Sequence, residues 1–397
     1  MKHYGDITKL KGNELPLVDI ITGGSPCQNL SVAGNREGLN GESSSLFLEQ
    51  IRIIKEMRDE SERRLAIRGA DYDRRDIKPR WMVWENVEGA FNSNGGEDFR
   101  IVLQETARIV EPNAVIPRLE NGHKWTSSGG ILADGWSVFW CLHNSEHWGI
   151  AQRRKRICLI ADFGGQTASE ILFEREGLSR CLEEGRELEE ETSSTIRGSL
   201  AKSDCISFQE RAGCRGGGKG ILIQSEKVAS LRAGYQQMVC YGIDREAFNQ
   251  GKNAKYRIQI DEEVMPCLRT TSANGVFHNH IVRRVTPIEC ERLDGFPDNW
   301  TEIGEWIDNE GKIHKSSDCY RYKALGNSIC LPYWQYVADK MVSIAKAENV
   351  QSPEMASLFD GIGGFPLVYS RAGCKPVWAS EIEPFPIAVT KFHFGNE

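Results

Sequence analysis

At 397 residues, 40% hydrophobic and 26% charged, the chain has an ordinary globular composition and the length for two or three domains. No apolar run approaches the roughly 18 residues that span a membrane, and the start Met1-Lys2-His3-Tyr4 does not read as a signal peptide, so no membrane partner and a cytoplasmic location are expected. Twelve cysteines stand singly with no C-x-x-C pair, which argues against a zinc site and a disulfide scaffold and for a reducing compartment. The net charge of −7 disfavours a nucleic-acid partner at first sight, but the balance is local. Residues 170–191 hold nine Glu against three Arg, whereas residues 201–260 hold ten Lys or Arg against five Asp or Glu, so an acidic total can hide a basic face.

Taken in order, Leu17-Val18-Asp19-Ile20-Ile21 reads as a buried strand ended by Gly23-Gly24. Cys27 follows at the carboxyl end of that strand, behind Pro26, on a stiffened backbone. The polar, glycine-marked run from Asn29 to Gly41 reads as a loop, so the pattern is a candidate nucleophile with a lid. Residues 44–64 carry Leu46, Phe47, Ile51, Ile54 and Met57 at helical spacing. Trp81–Trp84 predicts a second strand ending in Glu85-Asn86-Val87, and residues 99–110 a second helix. Ser137–Leu142 and Ile157–Ala161 predict further strands, with Gln152-Arg153-Arg154-Lys155-Arg156 between them. The alternation of strand and helix predicts an α/β fold with a doubly wound, mostly parallel sheet.

Residues 163–282 are glycine-rich and charged without sustained periodicity, and read as a smaller irregular domain inserted in the α/β unit. Order returns at Thr286-Pro287-Ile288-Glu289, where Thr286 as N-cap, Pro287 at the first position and Glu289 closing a capping box predict a helix start. A helix is expected from Asn327 to about Ala347, and residues 348–354 read as a linker. The expected divisions are therefore 1–162, 163–282, 283–347, 348–354 and 355–397. In the last of these, Met355–Phe359 reads as a strand, Asp360-Gly361-Ile362-Gly363-Gly364 as a glycine turn, Phe365 onward as a helix, and Pro376–Ser380 as a strand ending in Glu381. A carboxylate about 20 residues past such a turn fits a cofactor whose ribose hydroxyls need an acceptor.

These motifs together resemble the cytosine-C5 DNA methyltransferases, in shuffled order. The family's first motif resembles Ser357–Phe365, its second Ala379-Ser380-Glu381 and its third Gly5-Asp6-Ile7. The nucleophile motif matches Ser25-Pro26-Cys27-Gln28 and the glutamate motif Glu85-Asn86-Val87. The Q-x-R-x-R motif matches Gln152, Arg154 and Arg156, and the late motifs match Arg284–Pro287, Glu291–Pro297 and Gly326-Asn327-Ser328. In the family's usual layout the cofactor motifs open the chain. Here they close it, which looks like a circular permutation.

The resemblance implies methyl transfer from S-adenosylmethionine to C5 of a flipped-out cytosine in a specific duplex DNA site. Cys27 is then the nucleophile at C6, with Glu85 on N3 and the exocyclic amine, Arg154 on the O2 edge, and Asn86 and Gln28 beside them. Burial against Trp84 is expected to help Glu85 polarise the ring. The cofactor would lie over Phe359, Asp360, Gly361, Ile362, Gly363, Gly364 and Phe365, with Glu381 on the ribose and Ile382 next to it. Asp6, Ile7 and Pro26 would bracket it, and Asn327 with Ser328 would close its methionine side. Ser31 and Arg36 would face the DNA, with Arg156 packing or pairing structurally there, and residues 163–282 would read the groove. No metal is implied. The expected state is a monomer, and a cognate restriction endonuclease is a candidate partner. A tRNA cytosine-C5 methyltransferase, an inactive DNA-binding relative and a nicotinamide dehydrogenase resting on the glycine turn are the rival readings.

Overall fold

The computed structural model describes residues 1–25, 46–69, 71–119, 124–173 and 285–395, together with the backbone of short strands between 207 and 284. Pro26, Cys27, Gln28, Ser31, Arg36 and most of residues 174–284 lie outside the described residues. In chain order the strands are β1 (Lys2–His3), β2 (Ile20–Gly23), β3 (Trp81–Val87), β4 (Ser128–Ala133), β5 (Trp136–Asn144), β6 (Gln152–Arg153) and β7 (Lys155–Asp162). Next come β8 (Ser207–Gln209), β9 (Leu222–Gln224), β10 (Tyr241–Ile243), β11 (Ile260–Glu262), β12 (Met265–Pro266), β13 (Gly275–His278) and β14 (Ile281–Arg284). The last are β15 (Trp306–Ile307), β16 (Ile313–His314), β17 (Glu354–Leu358) and β18 (Lys375–Ser380).

A sheet with the order β1-β18-β17-β2-β3-β7-β5-β4 forms the centre. From β1 to β3 the neighbours run parallel. From β3 to β4 they run antiparallel. The sheet is thus mostly parallel, as expected, and its antiparallel part arises because β4, β5 and β7 follow one another without an intervening α-helix to carry the chain back. Instead β4 turns into β5 through Asp134-Gly135, with Gly135 at φ +75°.

Alternate residues of each strand feed two cores. Trp81 and Val83 face one side of the sheet, packing with the helices Leu331–Ala347 and Gly364–Ala372. Met82 and Trp84 face the other, with the helices Leu46–Arg68 and Glu97–Ala107. This is the doubly wound, three-layer arrangement.

The capping box at Thr286 and Glu289 forms as expected and starts the helix Pro287–Asp294. The helix expected from Asn327 starts later, at Leu331. Asn327 ends a separate helix, Asp318–Asn327, where Ser328 turns extended (φ −76°, ψ 176°). Pro332, in the first turn of the following helix, suits a fresh start rather than a continuation.

The order of strands sets where a site can lie. From β17 the chain moves outward to β18, and β1 lies beyond that, whereas β2 and β3 extend the sheet in the other direction. The carboxyl ends of β17 and β2 therefore flank a topological switch point, the place where open α/β sheets form clefts. From residues 163–284, β10, β11, β13 and β14 form a small antiparallel sheet. Strand β12 pairs in parallel with β6, setting Met265 beside Gln152 and Pro266 beside Arg153.

Candidate active site

A cavity of about 490 Å³ opens at that switch point. Its walls include Gly24 and Ser25 from the end of β2, Glu85 and Val87 from β3, and Phe359 and Gly361 past β17. Ser380, Glu381 and Ile382 at the end of β18, with Asp6 and Ile7 past β1, complete the strand side. Arg154, Arg156 and Asn327 also line it. The residues the sequence groups into separate motifs thus meet around one space.

The turn after β17 is held in a strained shape. Phe359 has φ +55°, a left-handed conformation uncommon for an aromatic residue, and Gly361 follows at φ +57°. The Gly361 N–H donates to Glu381 Oε2 at 2.8 Å. Glu381 Oε1 accepts the N–H groups of Ile382 at 2.7 Å and Glu383 at 2.9 Å. The carboxylate is thereby fixed at the cavity wall while Ile382, 62% exposed, stands at the mouth.

Asp360, Ile362, Gly363, Gly364 and Phe365 are buried behind the wall rather than lining it. Asp360 takes a hydrogen bond from Thr390 Oγ1 at 3.3 Å, and burial pushes its carboxyl up to about 7.

At the opposite end, Glu85 Oε1 meets Arg156 Nε at 2.9 Å, both side chains largely buried. Glycine at 24 makes room for this carboxylate, because a Cβ there would come within 3.0 Å of Glu85 Oε2. Trp84 does not cover Glu85 as expected. Successive strand residues point to opposite faces, and the Trp84 indole instead donates to Ser25 Oγ at 3.0 Å. Asn86 Nδ2 donates to the carbonyl and hydroxyl oxygens of Ser25, each at 3.3 Å. Asn86 therefore anchors the residue two places before Cys27 and does not line the cavity.

Arg154 is buried, and its guanidinium donates to the Ser328 carbonyl. Its backbone N–H is held by Asn144 Oδ1 at 3.0 Å. Below it, Cys330 Sγ lies 3.1 Å from Gln152 Oε1 and 3.3 Å from Asp294 Oδ1. Burial raises the Asp294 carboxyl to about 6, with Arg154 acting in the opposite direction. The Q-x-R-x-R segment and the late segments holding Asp294 and Ser328 thus converge on one buried polar layer, a connection that spacing alone does not disclose.

The sequence reading missed the far wall. There the hairpin of β15 and β16 contributes Trp306, Asp308 and His314, and the helix Asp318–Asn327 contributes Tyr320, Lys323 and Ala324. Trp306 stacks on His314 with centroids 4.3 Å apart, and His314 Nε2 lies 2.7 Å from Asp308 Oδ2. Tyr320 and Phe385 pack edge-on to Trp306, each at 5.5 Å. The signal was present in Asp308-Asn309-Glu310-Gly311, a turn sequence between Trp306-Ile307 and Ile313-His314.

Comparison with known proteins supplies the family. The family model described as C-5 cytosine-specific DNA methylase matches residues 1–109 and 132–343. A protein named DNA N-6-adenine-methyltransferase, from Escherichia phage P1, is 25% identical over 85% of this chain and 55% of its own length. The chain thus spans about half of that relative. Type II methyltransferase M.HpaII of Haemophilus parainfluenzae is 24% identical over 85% of this chain and 76% of its own. Among solved structures, a putative DNA modification methyltransferase encoded within an E. coli prophage is 15% identical, covering 86% of this chain and 85% of its own, with a TM-score of 0.40. With the family model matching most of its length, the chain belongs to the C-5 cytosine-specific DNA methylases.

Proposed function

We propose that the chain transfers a methyl group from S-adenosylmethionine to C5 of a cytosine extruded from duplex DNA, through a covalent bond between Cys27 and C6. One observation carries this reading. A single cavity is lined both by Phe359 and Gly361 of the turn with Glu381 and by Glu85, Arg154 and Ser25, two residues before Cys27.

The residues fit the cofactor. The volume of about 490 Å³ suits a nucleoside-sized ligand. Ile7, Phe359 and Ile382 offer apolar surface to a purine, and Glu381 holds a fixed carboxylate where vicinal hydroxyls need an acceptor. When bound, S-adenosylmethionine supplies an electrophilic methyl group on a sulfonium.

The protein's task is to make C5 nucleophilic. In this reading the Cys27 thiolate adds to C6, and the ring becomes an enamine able to take the methyl at C5. Glu85 hydrogen-bonds N3 and the exocyclic amine and polarises the ring as charge builds, with Arg156 fixing the carboxylate. Arg154 takes the O2 edge from its buried seat on Ser328. Loss of the C5 proton to water then expels Cys27 as thiolate and restores the aromatic ring. Residues 163–282 read the DNA, with Gln28, Ser31 and Arg36 facing the strand.

We infer also that the motif order is circularly permuted. The Met1 ammonium donates to the Phe394 carbonyl at 3.2 Å, so a chain joined there would run from Glu381 through β1 to Asp6 in the family's usual sequence. The family match, which ends at residue 343, supports this.

The test is nucleoside mass spectrometry after incubating the protein with duplex DNA or with tRNA and labelled S-adenosylmethionine. The reading expects labelled 5-methylcytosine in duplex DNA alone. Label in N6-methyladenine, or in tRNA, overturns it.

A further inference from the structure

Asp294 is a fully buried carboxyl group that the proposed reaction does not use. It ends the helix Pro287–Asp294, where Gly295 turns left-handed at φ +79° and lets the chain press on the next helix. A Cβ at 295 would come within 2.8 Å of Pro332 Cδ. At this crossing Asp294 Oδ1 lies 3.3 Å from Cys330 Sγ, which in turn lies 3.1 Å from Gln152 Oε1. Gln152 stands two residues before Arg154, and Cys330 two residues after Ser328, whose carbonyl takes the Arg154 guanidinium. Asp294 is thus tied to both segments that seat the arginine.

Its surroundings poise this carboxyl between two charge states. The Cys330 thiol has one proton to give and two acceptors facing it. An ionised Asp294 therefore leaves one acceptor unmet, whereas a protonated Asp294 can donate to the sulfur. Asp294 Oδ2 has no hydrogen-bond partner among the described residues. Burial works against the charge, and Arg154 and Arg156 work for it. The other titratable groups nearby add no competing charge. Burial raises the Cys290 and Cys330 thiols, which stay protonated. Glu291 pairs with Arg321 of the helix Asp318–Asn327 at 3.2 Å, Glu289 caps Thr286, and Arg292 pairs with Asp298.

We propose that ionised Asp294 is the counter-charge that holds Arg154 in place for the O2 edge of cytosine, and that a proton on Asp294 loosens that hold. Asp294 is then a positioning residue, acting on the base only through Arg154. Removing a negative charge from beside a buried guanidinium is costly, so the seat relaxes when the charge goes. This rests on the assignment of Arg154 to O2 above, and extends it to the group behind the arginine.

The test is single-turnover methyl transfer to duplex DNA by the wild-type protein and Asp294→Asn between pH 5 and pH 8. The quantity read is the ratio of the two rates, so that titrations shared by both proteins cancel. Asparagine keeps the shape and one acceptor oxygen and drops the charge. Wild type should be about tenfold faster at pH 8, where Asp294 is ionised. Its advantage should shrink to about twofold at pH 5, with the change centred at about 6, where Asp294 takes up its proton. S-adenosylhomocysteine affinity should be equal in the two proteins, since Asp294 does not line the cavity. Unequal affinity marks a folding defect, and Asp294→Ser then replaces Asp294→Asn with the same expectations. A ratio that stays constant or grows as pH falls, or equal rates at pH 8, overturns the proposal while methyl transfer stands. Wild-type protein that methylates no cytosine in duplex DNA at any pH overturns the reaction itself, and this assignment with it.

Discussion

Asn86 donates its side-chain amide to the carbonyl oxygen of Ser25 at 3.3 Å, joining the end of β3 to the end of β2 two residues before Cys27. The Trp84 indole grips the Ser25 hydroxyl from the same strand. The start of the nucleophile's loop is thus set by groups that need not touch substrate.

Asn86→Ala should therefore lower the methyl-transfer rate by about 10–100-fold, since small misplacements of reacting groups are costly. S-adenosylhomocysteine affinity should stay unchanged, because Asn86 does not line the cavity. Single-turnover rates and calorimetry on the same preparation separate the two effects.

Glu85 and Arg156 form the largely buried pair at the reacting end of the cavity. Glu85→Gln should cost about 10²–10⁴-fold in single-turnover methyl transfer, the usual scale for a lost acid–base group. Arg156→Met should cost less, because it removes the support and leaves the carboxylate. A larger loss from Arg156→Met than from Glu85→Gln would reverse their assigned roles.

Asp360 gives a pH-dependent expectation. Burial raises its carboxyl to about 7 in the folded protein, against about 4 in an unfolded chain. Between those values the folded state keeps a proton that the unfolded chain has released, so this group removes stability as pH rises from about 4 to about 7. Asp360→Asn carries no such charge. Its melting temperature should match wild type near pH 4 and exceed it at pH 8, with the gap opening between. Differential scanning calorimetry across that range checks the sign.

The glycine turn at 361–364, Glu381 at the end of its strand and the capping box at Thr286 were legible because each depends on local chemistry within a few residues. Which strands of the mostly parallel sheet run antiparallel was not legible, because strands 137–142 and 157–161 look alike whichever way they run. The two-residue Asp134-Gly135 turn was the clue to β4 and β5. The break at Ser328 was hidden because Ile329, Tyr333 and Tyr336 continue a helical spacing across it. Long-range pairing was not legible either. That Arg156 meets Glu85, or that Cys330 lies between Gln152 and Asp294, follows from strand register and helix packing rather than from neighbours in sequence.

The central claim is tested most directly by trapping with duplex DNA that carries 5-fluorocytosine, in which fluorine at C5 blocks release of the enzyme thiol. With S-adenosylmethionine present, the wild-type protein should give a denaturation-resistant protein–DNA species of the summed mass. Cys27→Ser should give none. A Cys27→Ser protein that forms the same species, or a wild-type protein that methylates cytosine while forming none, would contradict the account.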